Sequence, residues 1–133
     1  MYQKIVIAGH LGSDPEMRYT PSGTPVTNFS VATNRRWTDA EGQSREETTW
    51  FRVITWGRLA ETCNQYLTKG RAVLVEGERL NANPWINREG QAAATLELTA
   101  RVVRFLGGRE ERELTFGEEP EGPEEITEES LPF

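Results

Sequence analysis

The chain has a single cysteine, Cys63, and a single histidine, His10. One thiol closes no internal disulfide, and one thiol with one imidazole is too few ligands for a zinc centre. A disulfide scaffold and a zinc module are both excluded, and neither a metal nor a cofactor is expected. Long apolar runs are missing too: nothing approaches the roughly 18 residues that a membrane-spanning helix needs. Met1-Tyr2-Gln3-Lys4 passes straight into Ile5-Val6-Ile7-Ala8 without the layout of a signal peptide, so a cytoplasmic protein with no membrane partner is expected.

Catalytic pairings are equally scarce. His10, beside Gly9, has no recognisable Cys, Ser or Asp partner. Glu46-Glu47 and Glu110-Glu111 are adjacent acids in polar surroundings and read as solvated charge. Gly9-His10-Leu11-Gly12 lacks the Gly-Lys-Ser/Thr ending of a phosphate loop. The chain is read as a binding protein with no catalytic residue.

Positive charge is in deficit, with 15 Lys and Arg against 21 Asp and Glu and a net charge of −6. That balance argues against a polyanionic ligand until the charges are placed. Residues 1–109 carry 14 basic against 11 acidic residues, a net of +3, whereas residues 110–133 carry one Arg against ten Glu, a net of −9. The whole-chain charge therefore describes a tail and hides a mildly basic body. One domain over residues 1–108 and an acidic tail over 109–133 are expected, the tail disordered because it is rich in charge and poor in large apolar residues.

The body reads as short strands broken by turns. The first spans Tyr2 to Leu11, and Gly12 to Pro15 and Thr20 to Pro25 then punctuate a loop. The second runs from about Val26 to Trp37, with Phe29 and Val31 alternating against Asn28, Ser30 and Ala32. A polar turn over Asp39 to Glu47 leads to a third strand, TTWFRVITWG, at residues 48–57. In RLAETCNQYLTKG, residues 58–70, Leu59, Cys63, Tyr66 and Leu67 fall at helical spacing, with Lys69 in the last turn and Gly70 as the C-cap. Strand character resumes at Ala72 to Val75, lapses through NANPWINREG (81–90), read as a loop, and returns from Ala93 to Leu106. Three strands, a helix and two more strands is the order of the OB-fold, a five-stranded Greek-key barrel that is all-β apart from one helix.

Four tryptophans, Trp37, Trp50, Trp56 and Trp85, are too many for a small body to pass as background. On the third strand, Trp50, Arg52, Ile54 and Trp56 share one face while Phe51 and Val53 occupy the other, because successive side chains alternate. Phe51 and Val53 can serve the core. The opposite face then presents two indoles flanking a guanidinium, and an interior offers Arg52 no good partner. Trp85 stands in polar sequence. Trp37 shares the parity of Phe29 and Val31, which sends it inward unless a bulge or a strand outrunning the barrel releases it. Flat rings with cations between them suit unpaired bases, each worth about 1–3 kcal/mol when stacked. The basic residues Lys4, Arg35, Arg36, Arg52, Arg58, Lys69, Arg71 and Arg88 suit the phosphates.

The segments GHLGSDPEMRYTPSGTPVTNFSVAT (9–33), TTWFRVITWGRLAETCNQYLTKG (48–70), VLVEGER (73–79) and the closing LPF resemble the bacterial single-stranded-DNA-binding protein family. The resemblance implies an OB-fold that binds single-stranded DNA without sequence preference, as a homotetramer in most members. It implies that Trp37, Trp50, Trp56 and Trp85 stack bases and that Lys4, Arg52, Arg58 and Lys69 lie on basic positions near the DNA. Arg35 and Arg36 match no basic position of the family; Arg35 is counted with the backbone contacts on its charge. The linker usual in the family is nearly absent here.

The resemblance also implies that the tip, Glu128, Glu129, Leu131, Pro132 and Phe133, recruits replication, recombination and repair proteins. A coil of 25 residues reaches about 25–30 Å, enough to clear a barrel whose radius of gyration is about 13 Å, so the tail can also fold back on the basic groove and compete with DNA. An RNA-binding OB module and a primosome-type interaction protein stand as alternatives.

Overall fold

The computed structural model describes residues 1–107 and 124–127, the latter by backbone alone. Seven strands and one helix follow in the order β1 (Ile5–Leu11), β2 (Glu16–Tyr19), β3 (Pro25–Thr38), β4 (Ser44–Trp56), α1 (Gly57–Tyr66), β5 (Ala72–Ile86), β6 (Ala92–Leu106) and β7 (Glu124–Thr127).

Strand alternation builds the barrel. Ile7, Phe29, Val31, Val53, Val75 and Leu98 point inward and are buried, while their neighbours face out. β1 pairs with β5, β5 with β6, β6 in parallel with β4, β4 with β3, and β3 back to β1 through His10 opposite Ala32 and Leu11 opposite Val31. That circuit is the closed five-stranded OB barrel. The closure is shortest at β1, which meets β3 only through His10 and Leu11 and pairs with β5 along Ile5–His10.

The helix closes one end of the barrel. Leu59, Ala60, Thr62 and Cys63 are its buried residues, and Leu67, the C-cap, is buried just beyond them. Two buried threonines hold it from below: Thr27 Oγ1 donates to the Ala60 carbonyl at 2.7 Å, and Thr55 Oγ1 donates to the Thr27 carbonyl at 2.9 Å. Both hydroxyls are satisfied, which avoids the cost of about 1–3 kcal/mol for an unmet buried polar group.

Two arms outrun the barrel. β3 and β4 stay in register from the core pair Phe29–Val53 out to Thr38–Ser44, and β5 and β6 from Leu80–Leu98 out to Ile86–Ala92. The tips use one solution twice. Asp39 Oδ1 accepts the Glu41 and Gln43 amides, and Asn87 Oδ1 accepts the Glu89 and Gln91 amides. Gly42 (φ 81°) and Gly90 (φ 79°) supply the left-handed residue each turn requires.

Several boundaries depart from the sequence reading. Residues 81–86 are strand, paired residue for residue with β6, and the turn is confined to Asn87–Gln91. Past Gly77, β5 pairs only with β6 among the described residues, and an edge strand tolerates Pro84. Glu16–Tyr19 is a strand against β3 where a loop is expected. The helix ends at Tyr66, so Lys69 is not in its last turn and Gly70 is not its C-cap; Tyr66 is exposed. Gly70, with φ 89°, instead turns the chain back so that its amide donates to the Leu11 carbonyl. Within the segment expected to be disordered, Glu124–Thr127 pairs antiparallel with Val102–Phe105 of β6.

Candidate nucleic-acid interface

Register places the site. Arg52 of β4 lies beside Glu97 of β6, which faces Asn81 of β5, and Ile54 lies beside Thr99, which faces Arg79. Since paired residues share a face, Trp50, Arg52, Ile54 and Trp56 continue across Thr95, Glu97 and Thr99 to Arg79, Asn81, Asn83 and Trp85. These eleven outward positions on β4, β6 and β5 carry three indoles, two guanidiniums and one carboxylate, Glu97.

None of the four tryptophans is in the core: Trp37 is 38% exposed, Trp50 53%, Trp56 41% and Trp85 48%. Trp50 is seated against Gly12, where an added Cβ would collide with its Cζ3 and stand 2.7 Å from Cη2. Trp56 ends β4 and is the N-cap residue of α1, so the turn into the helix fixes its backbone. Trp85 is held by its Nε1, which donates to Thr95 Oγ1 at 2.9 Å. Each indole keeps an open surface on a rigid mount, the arrangement base stacking requires.

Trp37 is the exception in placement. It lies on the inward parity, as its alternation with Phe29 and Val31 predicts, yet the strand has left the barrel and the ring is released on the far face of the β3–β4 ribbon. There the Arg35 guanidinium sits 4.7 Å from the Trp37 ring centroid.

The basic residues fall into two groups. Arg52 stands exposed between Trp50 and Trp56, and Arg35 stands beside Trp37. Lys4, by contrast, lies 3.3 Å from Glu76 Oε1 on the β1–β5 side of the barrel. Arg58 is exposed at the start of α1, and Lys69 is exposed on the loop that follows α1, its backbone amide held by Asp14 Oδ1 at 2.8 Å. The structure thus does not gather Lys4 with the tryptophan face. Arg79, which shares that face with Trp85, was missed because its alternation with residue 85 is invisible once 81–90 is read as a loop. Gly12 was missed because nothing in sequence shows what its lost side chain would strike. Glu128, Glu129, Leu131, Pro132 and Phe133 lie outside the described residues. Among the described residues there is no cluster of metal-ligating side chains and no helix long and apolar enough to cross a membrane.

The sequence profile of the Single-strand binding protein family matches residues 2–106. The chain belongs to that family. Its members are non-enzymatic DNA-binding proteins. The chain is 42% identical over 108 residues to the Single-stranded DNA-binding protein 1 of Chlorobaculum tepidum, a match that covers 80% of this chain and 66% of that protein. Among solved structures it resembles the Plasmodium falciparum SSB in complex with single-stranded DNA, with a TM-score of 0.63 and 29% identity over 74% of this chain and 86% of that one.

Proposed function

We propose that this chain binds single-stranded DNA without sequence preference and protects it during replication, recombination and repair. The observation that carries the reading is the continuous outer face on which Trp50, Arg52 and Trp56 meet Trp85 and Arg79. Exposed rings take unpaired bases, which a duplex does not offer, and the guanidiniums take phosphates. The family and the two relatives named for single-stranded DNA support the same ligand. Base edges go unread, since stacking accepts every base. Competition among single-stranded DNA, RNA of equal length and duplex DNA tests this: the single DNA strand wins, and equal or better binding of RNA contradicts it.

The finer roles rest on sequence and surface. Glu128, Glu129, Leu131, Pro132 and Phe133 form a terminal aromatic hook flanked by acids that suits a pocket with a basic rim on replication, recombination and repair enzymes. Deleting Phe133 then abolishes partner capture and leaves DNA stoichiometry intact. The exposed Tyr2 and Val6 on the β1 side support assembly as a homotetramer, which sedimentation tests directly. The protein acts in the cytoplasm, on nucleoid DNA.

A further inference from the structure

The β3–β4 arm carries three arginines, and two of them are engaged with carboxylates. Arg36 Nε lies 3.5 Å from Glu46 Oε2, and Arg45 Nε donates to Asp39 Oδ2 at 2.9 Å. Arg35 differs. Glu47 is its register partner, yet among the described residues no ion pair to Arg35 forms, and its guanidinium lies over the Trp37 indole at 4.7 Å. Arg35 and Trp37 are two residues apart on one strand, so both project from the same face of the ribbon.

An indole has two faces on which a base can stack. A guanidinium within about 6 Å of the ring centre is attracted to it by the ring quadrupole, and its plane covers the surface it occupies. Trp50 is instead seated against Gly12, and Trp85 is fixed through its ring nitrogen. Trp37 is backed by a charge, on an arm whose turn is itself pinned by Asp39.

We propose that Arg35 is a positioning residue of the DNA interface: it caps one face of Trp37, orients the ring, and leaves the other face for one base of a single strand. The proposal rests on the single-strand-binding reading above and deepens it. Arg35 then acts through the indole, not as an independent phosphate contact. Its charge behind the ring strengthens the stack on the free face, and a lysine, which has charge but no plane, replaces it poorly.

The test is a double-mutant cycle with Arg35→Ala, Trp37→Ala and the double variant, read by affinity for an oligothymidine, with Arg35→Lys as the conservative variant. Circular dichroism and melting temperature show that each variant is folded; both positions are exposed arm sites and little change is expected. Arg35→Ala is expected to weaken binding about 2- to 5-fold, the size of an exposed cation–π contact. In the Trp37→Ala background the same change is expected to cost nothing further; the salt dependence of binding is expected to stay the same in Arg35→Ala and Arg35→Lys, and Arg35→Lys is not expected to restore affinity. An equal loss from Arg35→Ala with and without Trp37 overturns the proposal and makes Arg35 a plain phosphate contact. Failure of the unmutated chain to bind the oligomer overturns instead the reading on which the proposal rests.

Discussion

The indole of Trp50 rests on Gly12, so closely that the smallest side chain at residue 12 would run into the ring, its Cβ also standing 3.2 Å from Ser30 Oγ. No positive φ demands glycine there, so alanine meets no left-handed backbone strain and its effect falls on the ring and on the Ser30 hydroxyl. Gly12→Ala is therefore expected to tilt Trp50 off its seat and weaken single-strand binding, by at most the roughly 1–3 kcal/mol that a stacked base is worth. Titration of the variant, set against an unchanged melting temperature, checks it; a variant that binds normally means Trp50 is not a platform.

The arm that carries Trp37 depends on an ionised Asp39. The Gln43 amide, the Arg45 side chain and the Glu41 amide hold its carboxyl below the usual carboxylate value of 3.8. A group with a depressed folded pKa favours the folded turn only while charged. Its contribution is complete at neutral pH, starts to fade as pH falls past 3.8, and is gone below the depressed value. Asp39→Ala is expected to speed hydrogen exchange at the Glu41 and Gln43 amides at neutral pH, and at acid pH the variant and the parent are expected to converge. The matching turn at Asn87 has no such pH dependence, which gives an internal control.

Burial pushes the Cys63 thiol well above its ordinary range. The thiolate is the reactive form, and the side chain is fully covered in the core against the barrel. A thiol reagent at pH 8 is expected to leave the native chain untouched and to label it fully in denaturant. Prompt labelling of the native protein contradicts the seating of α1.

Leu98 is buried where β6 faces β4 on one side and β5 on the other. Leu98→Ala is expected to cost about 2–5 kcal/mol, the transfer loss plus the cavity left behind. Urea unfolding measures it, and DNA stoichiometry is expected to stay constant, since the side chain points away from the tryptophan face.

What could be read in the sequence follows from what periodicity reports. Phe29 and Val31, and Phe51 and Val53, announced the barrel strands because one face of each is buried. The row Trp50-Arg52-Trp56 was legible for the same reason, seen from the other side. Asn81 to Trp85 hid a strand because asparagine and proline are poor strand formers, and only the edge position and the pairing with β6 make that segment extended. Trp37 posed a question that parity could frame but not answer: the strand had to be seen leaving the barrel. The Gly12 seat and the Arg35 cap are contacts between surface groups that leave no periodic trace, so no pattern of residues could have announced them.

Intrinsic tryptophan fluorescence during titration with an oligothymidine, at two salt concentrations and against duplex DNA, tests the central claim most directly. Strong quenching by the single strand alone, weakening as salt rises because phosphate contacts release counterions, is the predicted result. No quenching by the single strand, or equal quenching by the duplex, contradicts the assignment of Trp37, Trp50, Trp56 and Trp85 as stacking platforms.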